Sequence, residues 1–132
     1  MTTYIIDSFA VLKLIKKEEG YQKIVKIIQK ANQNQVKLLI SNINFGEILY
    51  RLTLIKGQEY FEKIEQIIRA LPIKIVEIET NDIINSAKLK SRGGISYADC
   101  FTITLAQKTE AMILTGDKEF EKFQEEVVIE WV

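Results

Sequence analysis

Four acidic side chains are the residues of this chain best suited to chemistry: Asp7, Glu47, Asp99 and Asp117. Several carboxylates around one crevice repel one another, and their hard oxygen atoms suit Mg²⁺ or Mn²⁺. One or two such ions can orient a phosphodiester, generate hydroxide from bound water and stabilise the leaving oxygen. If the four residues meet in space, the pattern predicts metal-assisted hydrolysis.

The chain contains no histidine. This absence excludes serine hydrolases with a histidine base, metal-independent ribonucleases with a histidine acid/base pair, and zinc sites with histidine ligands. The formal net charge is zero, so no global basic field marks the chain as a nucleic-acid binder. A nucleic-acid partner must therefore be argued from local features.

The composition is that of one soluble globular domain over residues 1–132. Apolar residues make up 47% of the chain and charged residues 27%, which allows a sizeable core. No apolar run approaches the roughly 20 residues that span a membrane, and the segment after Met1 is strand-like and unlike a signal peptide. We therefore expect a cytoplasmic protein. Cys100 is the only cysteine, and its apolar surroundings predict a buried structural thiol.

Short apolar or β-branched segments alternate with longer segments of helical periodicity, which favours βαβ units and a parallel sheet. The predicted strands are Tyr4–Ile6, Lys37–Ile40, Ile73–Ile78, Ala111–Leu114 and Val127–Val132. The predicted helices are Ser8–Lys16, Glu18–Gln33, Asn44–Lys56, Gln58–Leu71, Asn81–Ser91 and one that starts at Ser96. The expected fold class is α/β, a three-layer domain in which helices flank a central parallel sheet of about five strands.

These elements are expected to bring the four acids to one edge of the sheet. Asp7 ends the first strand, and Asp117 follows the fourth strand across a glycine turn. Glu47 lies about one turn into the helix after the second strand, and Asp99 about one turn into the helix after the glycine break at 93–94. Open parallel sheets bind ligands at the carboxyl edge where the strand order reverses. We therefore expect the acids to reach one crevice.

Each acid also has a purely structural interpretation. Asp7 and Asp117 are suited to capping the helical turns that follow them. A capping box, in which an N-cap residue is followed three positions later by an acid, fits both Asn44–Glu47 and Ser96–Asp99. Caps are commoner than catalytic acids, so each residue taken singly favours the structural interpretation. The presence of all four acids at positions that are expected to meet favours the functional interpretation.

Asp99 carries the strongest physical argument for a cation. From Ser96 to Gln107 it is the only acidic or basic side chain in an otherwise largely apolar helix, which predicts burial on most sides. An unpaired carboxylate there is costly, and one capping bond does not compensate it. Glu47 provides a weaker argument for a cation, because Arg51 is four residues away, and side chains at that spacing on a helix can form an ion pair.

Three segments of the sequence, YIIDSFAVLKLI, SNINFGEILYRL and GGISYADCFTITLAQKTEAMILTGD, with the KEF that follows, carry a resemblance over essentially the whole chain. They resemble the PIN-domain nucleases, and in particular the stand-alone VapC-type toxins of prokaryotic toxin–antitoxin pairs. The acids of that family's pattern map onto Asp7, Glu47, Asp99 and Asp117. Gly116 departs from the pattern, since a polar or basic residue often stands there.

The resemblance implies a PIN-like fold and an Mg²⁺- or Mn²⁺-dependent endoribonuclease. It also implies a homodimer and inhibition by a small antitoxin that inserts a basic side chain among the acids. Asp7, Asp99 and Asp117 would hold the metal, and Glu47 would complete the shell directly or through water. Ser8, beside the first acid, and Thr115, before the last, would orient carboxylates or phosphate.

Basic and aromatic residues near the acids are compatible with an RNA partner. The candidates for contacting phosphates are Lys13, Arg92 and Lys118, although lysines and arginines on a solvated helix face look the same. The candidates for stacking on bases are Tyr50, Tyr97 and Phe120, although core packing is the default for aromatic residues at such positions.

Other functions stay open on the sequence. A phosphoacceptor signalling module shares the length and the parallel sheet, but it requires paired acids after the first strand, and Asp7 has no acidic neighbour. A phosphatase with an aspartate two residues after its nucleophile is disfavoured, because that position is Phe9. A catalytically inactive PIN-like module that binds RNA or protein shares the fold with the nuclease, and an activity assay separates the two.

Overall fold

A computed structural model of the protein describes residues 1–132. Its strands are β1 (Thr2–Ile6), β2 (Val36–Ser41), β3 (Lys74–Val76), β4 (Met112–Thr115) and β5 (Ile129–Trp131). Its α-helices are α1 (Ser8–Lys16), α2 (Tyr21–Asn32), α3 (Asn42–Lys56), α4 (Phe61–Arg69), α5 (Thr80–Ser91) and α6 (Tyr97–Thr109). Short 3₁₀ segments lie at Gln58–Tyr60 and Lys118–Phe123. The predicted α/β class is confirmed.

All five strands run parallel, in the order β3-β2-β1-β4-β5. The chain moves outward from β1 through β2 to β3, and then returns to place β4 on the other side of β1. The carboxyl ends of β1 and β4 therefore flank the point where strand order reverses, which is where such sheets bind ligands. The order differs from the 2-1-3-4-5 order of flavodoxin-like phosphoacceptor modules, so that alternative is excluded.

Helices cover both faces of the sheet because every central strand is apolar on both sides. Successive side chains of a strand point to opposite faces, so Ile5 and Ile6 enter two different cores. The Ile6 core packs against α1 to α4, and the Ile5 core packs against α5, α6 and the C-terminal segment. Cys100 is a free, buried thiol in the second core, as predicted. None of the helices has both the length and the hydropathy of a membrane span.

Two of the predicted strands are shorter in the structure. The third strand was predicted as Ile73–Ile78 but pairs only over Lys74–Val76, and the fifth was predicted as Val127–Val132 but pairs only over Ile129–Trp131. Both lie at the edges of the sheet, where pairing on one side supports fewer residues. The predicted helix 58–71 splits into the 3₁₀ turn and α4.

The N-terminus of α3 corrects one expectation. The helix begins at Asn42, and the N-cap is Ser41, whose hydroxyl accepts a hydrogen bond from the Asn44 amide. The predicted capping box from Asn44 to Glu47 is therefore wrong, because Asn44 already lies within the first helical turn. Because β2 runs directly into α3, the last residue of the strand, Ser41, is the N-cap of the helix.

Candidate active site

Asp7 leaves the end of β1 as the N-cap of α1 and is fully buried. Its Oδ1 atom accepts a hydrogen bond from the Ala10 amide at 2.8 Å, and its Oδ2 atom accepts one from the Thr115 hydroxyl at 2.5 Å. Burial raises the pKa of Asp7 to about 7, even though both hydrogen bonds favour the charged form. Asp7 therefore caps α1 as predicted, and its carboxylate is buried where the charged form is disfavoured.

Asp117 reaches the same edge from the end of β4. Its side chain accepts a hydrogen bond from the Glu119 amide at 3.0 Å, and its own amide donates to the Thr115 hydroxyl at 3.0 Å. Thr115 is fully buried and thus links Asp117 to Asp7 through one hydroxyl. The charge of Asp117 contributes to the raised pKa of Asp7, which shows that the two carboxylates lie close enough to repel each other.

Glu47 lies on α3 and faces α1. The Ser8 hydroxyl donates to its Oε1 atom at 2.5 Å, and Arg51 Nη2 lies 3.4 Å from its Oε2 atom. The predicted pair with Arg51 is therefore present, and both carboxylate oxygens already have a partner. Glu47 still contributes to the raised pKa of Asp7, so it borders the acidic group.

Asp99 lies on the first turn of α6 with only 5% of its surface exposed. Ser96 caps the helix by accepting a hydrogen bond from the Asp99 amide at 3.3 Å. The second half of the predicted capping box is missing, because the Ser96 amide donates to Glu119 Oε2 at 3.3 Å and not to Asp99. Burial, a hydrogen bond with Glu119 and the charges of Asp7 and Asp117 raise the pKa of Asp99 to about 9.

Glu119 is a member of the acidic group that was not predicted from the sequence. Carboxylate oxygens of Asp99, Asp117 and Glu119 all lie within 4.8 Å of one another. Glu119 belongs to the 3₁₀ segment after β4, and its position in the KEF motif was the only available signal. An acid in an exposed turn usually interacts with water alone, so no pattern in the sequence distinguishes Glu119 from other surface acids.

Asn44, which was predicted as an N-cap, has a different role in the structure. It is fully buried, and its Oδ1 atom accepts hydrogen bonds from the hydroxyls of Ser41 and Thr102. Its Nδ2 atom donates to the carbonyl of Ala98 at 3.1 Å. One amide side chain therefore ties α3, which carries Glu47, to the start of α6.

Replacement of Asn44 by alanine is expected to lower the free energy of unfolding by about 1–3 kcal/mol, because it leaves buried polar partners unsatisfied. Chemical denaturation measures this change. Asn85→Ala is the matched control, since Asn85 is an exposed helical residue and should change stability by less than about 0.5 kcal/mol. Equal stability of the two variants would show that the Asn44 network does not hold the helices together.

The basic candidates occupy different environments. Arg92 donates two hydrogen bonds to Glu126, at 2.7 and 2.9 Å, and lies over the ring of Phe123. Lys118 is exposed beside Asp117, and Lys13 is half-buried on α1. RNA contacts by these residues stay a prediction, and Arg92 can make them only by sharing or releasing Glu126.

The aromatic candidates divide by burial. Phe120 is fully buried and belongs to the second core, whereas 53% of Tyr50 and 44% of Tyr97 is exposed. Tyr97 packs edge-on against Phe101, with a centroid distance of 4.9 Å. Base stacking by Phe120 is therefore excluded without rearrangement of the core, while Tyr50 and Tyr97 keep accessible rings.

Close packing around the turn between Thr115 and Asp117 explains why a glycine stands at position 116. A Cβ atom on Gly116 would lie 2.6 Å from the carbonyl oxygen of Val132 and 2.7 Å from the ring of Phe9. Neither distance is tolerable for a real side chain. The departure of this chain from the PIN pattern at Gly116 thus follows from the close packing of Phe9 and β5 around the turn.

The donor set fits a hard divalent cation. Asp99 is nearly enclosed, and no lysine, arginine or backbone amide donates to its carboxylate. The charges of Asp7, Asp99 and Asp117 repel one another, and clustered carboxylate oxygens are the ligands of Mg²⁺ and Mn²⁺. A cation among them would offset both the burial and the repulsion.

The sequence matches the family model of the PIN domain over residues 4–126. The chain belongs to the PIN domain family. Membership confirms the family resemblance seen in the motifs around the four acids. No significant match to this PIN domain was found among curated proteins.

Several solved structures have the same fold as this PIN domain. VapBC2 from Rickettsia felis, bound to a DNA fragment from its promoter, has a TM-score of 0.76 and 17% identity, with 99% of each chain covered. DNA-bound VapBC from Salmonella typhimurium has a TM-score of 0.73 and 16% identity, with 98% of each chain covered. Mycobacterium tuberculosis VapC20, a toxin that cleaves the sarcin-ricin loop, has a TM-score of 0.72 and 13% identity, with 90% of this chain and 93% of that chain covered. At these identities the likeness shows the fold alone.

Proposed function

We propose that this PIN domain is a metal-dependent endoribonuclease and the toxin of a VapBC-type toxin–antitoxin pair. The observation that carries the proposal is the pair of buried carboxylates, Asp7 and Asp99, whose pKa values burial raises to about 7 and about 9. A fold keeps such costly acids mainly where a ligand uses them, so strongly shifted groups at a sheet edge indicate an active site.

Asp7, Asp99 and Asp117 would hold Mg²⁺ or Mn²⁺, with Glu47 completing the shell directly or through water. When bound, the cation supplies positive charge that attracts the phosphodiester and lowers the pKa of water. The Thr115 hydroxyl fixes Asp7 through a 2.5 Å hydrogen bond. The Ser8 hydroxyl fixes Glu47 through another, and such supporting contacts tune metal affinity.

RNA is the proposed substrate because the chemistry assigned to the acids is phosphodiester hydrolysis and the resemblance to the VapC-type toxins implies cleavage of RNA. Exposed Lys118 beside the acids and the accessible rings of Tyr50 and Tyr97 provide phosphate and base contacts of the kind that single strands use. One solved structure with this fold is described as a toxin that cleaves the sarcin-ricin loop, which is consistent with RNA.

An antitoxin partner and a homodimer belong to the same proposal. Solved structures with this fold include VapBC complexes bound to DNA. An apolar groove of about 400 Å³ between α1, α3 and α4 is lined by residues that include Ile15, Leu52 and Ile64, and grooves of this kind accept an amphipathic helix. Exposed apolar residues on α3 and α4, among them Leu54, Ile55 and Phe61, provide a surface for a second copy. A neighbouring reading frame for a short, basic-tailed protein would support the antitoxin.

Removal of divalent metal is expected to abolish cleavage of RNA. Purified protein is incubated with structured and unstructured RNAs in Mg²⁺, in Mn²⁺ and in chelator, and products are resolved on denaturing gels. Cleavage is expected with either metal, none with chelator, and recovery when excess metal is restored. The reason is that carboxylates alone provide no positive charge to neutralise the phosphate or to lower the pKa of the attacking water.

The inactive PIN-like module is the alternative that this assay addresses. Absence of cleavage with every metal and RNA, together with retained RNA or protein binding, would favour that module. Equal cleavage with and without chelator would contradict the metal-dependent chemistry.

A further inference from the structure

Arg51 is the basic side chain that the fold pairs with the acidic group. It lies on α3 one helical turn after Glu47, and its Nη2 atom is 3.4 Å from Glu47 Oε2. A hydrogen bond with Tyr50 and the negative charges of Glu47 and Asp99 raise the pKa of Arg51, so a full positive charge stands beside the acids. The other ion pairs of the protein join residues outside the acidic group.

We propose that the guanidinium of Arg51 binds a phosphate group of the RNA substrate at the rim of the active site. The inference rests on the proposed function and adds to it a residue that contacts the substrate. Arginine has five N–H donors in a planar fork that matches the oxygens of a phosphate. One contact with Glu47 and one with Tyr50 leave part of the fork unused, and half of the Arg51 side chain is exposed. A phosphate can therefore reach it without breaking a buried contact.

The charge of the site favours a positive side chain at this position. Glu47 and the three aspartates gather negative charge at the edge of the sheet, and the backbone of RNA is negative as well. A single divalent cation does not neutralise four carboxylates, so the rim would still repel a phosphate. Arg51 lies where it can offset that repulsion, because the charges of both Glu47 and Asp99 act on it.

A second pair of the same helical spacing shows the ordinary form of such a contact. Arg69 and Glu65 on α4 approach to 2.8 Å, and both side chains are open to solvent. The contact between Arg51 and Glu47 is longer, and Glu47 is nearly buried and also accepts a hydrogen bond from Ser8. Exposed ion pairs contribute at most about 1 kcal/mol to stability. Arg51 is therefore held near the acids by one loose contact, which a phosphate can share.

The test measures the binding of RNA and its dependence on salt. Variants are made in an Asp7→Asn background, where cleavage is expected to be slow, and anisotropy of a fluorescently labelled single-stranded RNA is recorded in Mg²⁺ over a range of KCl. A denaturing gel checks that the RNA stays intact. Loss of one phosphate contact to a single strand lowers the slope of log affinity against log salt by about 0.7. Arg51→Gln is expected to show that change and an affinity roughly tenfold lower, whatever the RNA sequence.

Two further variants separate a phosphate contact from an ordinary ion pair. Arg69→Gln is the matched control, because it also breaks a glutamate–arginine pair of helical spacing, outside the acidic group; its affinity and salt slope should equal those of the parent protein. Arg51→Lys keeps the charge and loses the planar fork, so it should keep the salt slope and lose less affinity than Arg51→Gln.

An unchanged affinity and salt slope in Arg51→Gln would overturn the assignment, and so would a parent protein that binds no RNA. RNA binding that depends on Arg51, in a wild-type protein that cuts no RNA, would support the phosphate contact and refute the nuclease. Cleavage by the wild type, with no effect of Arg51→Gln on RNA binding, would refute the phosphate contact alone. The two failures are therefore distinguishable.

Discussion

Replacing Asp7 with asparagine is expected to slow RNA cleavage about a hundredfold or more while the domain stays folded, since charge stabilisation by a catalytic metal is worth several kcal/mol. Asparagine also serves as an N-cap, so its oxygen can accept from the Ala10 amide as Asp7 does. The variant loses the negative charge that would hold the cation. The loss should therefore appear in the rate of cleavage and not in the helical content.

The comparison requires a control that removes a charge elsewhere. Glu62→Gln changes an exposed acid in the first turn of α4, outside the acidic group, and should cleave RNA at the wild-type rate. Rates are measured under single-turnover conditions at saturating Mg²⁺, with circular dichroism as the check on folding. An Asp7→Asn variant that cleaves as fast as Glu62→Gln would remove Asp7 from the catalytic group.

Strand ends made part of this site predictable from the sequence. A parallel strand delivers the residue that follows it to the carboxyl edge of the sheet, so Asp7 after β1 and Asp117 after β4 were placed correctly from the pattern alone. The absence of other charges along α6 likewise predicted a buried Asp99. These expectations depend on elements with long, regular patterns.

The parts that the sequence could not predict depend on contacts between distant segments. Glu119 joins the acidic group because its turn folds back onto the start of α6, and no local pattern encodes that approach. Asn44 resembled an N-cap, but the cap is Ser41 and Asn44 bonds to Ala98 and Thr102 on the neighbouring helix. Local propensity is a weak predictor where tertiary packing chooses between two polar neighbours.

The pKa of Asp99 has a consequence for the stability of the metal-free protein. A carboxyl group whose pKa is raised on folding contributes stability at low pH and loses it as the pH rises through the folded-state value. For Asp99 that interval runs from its ordinary value of 3.8 up to about 9, and Asp7 adds loss up to about 7. The metal-free domain should therefore melt at a lower temperature at pH 9 than at pH 5.

Asp99→Asn is expected to raise the melting temperature of the metal-free protein at pH 8. At pH 8 folding must protonate Asp99, because its pKa rises from 3.8 to about 9, and asparagine removes this cost. Since one pKa unit corresponds to about 1.4 kcal/mol, the substitution should add on the order of 2 kcal/mol to the free energy of unfolding, or roughly 5 °C. Differential scanning fluorimetry at pH 5 and pH 8 measures the change, and the gain should be smaller at pH 5, which lies closer to the ordinary pKa of 3.8, so that protonating Asp99 on folding costs less there. A clear fall in melting temperature would indicate that the Asp99 side chain serves to cap α6.

Added metal should reverse the order of the two proteins. A ligand at one hundred times its dissociation constant stabilises the folded state by about 2.7 kcal/mol, so saturating Mn²⁺ should raise the melting temperature of the wild type and leave Asp99→Asn nearly unchanged. The wild type would then be the more stable protein at pH 8, although it is the less stable one without metal. This reversal would show both effects of the Asp99 carboxylate, which destabilises the metal-free protein and binds the ion. A variant that gains as much from Mn²⁺ as the wild type would separate Asp99 from the metal site.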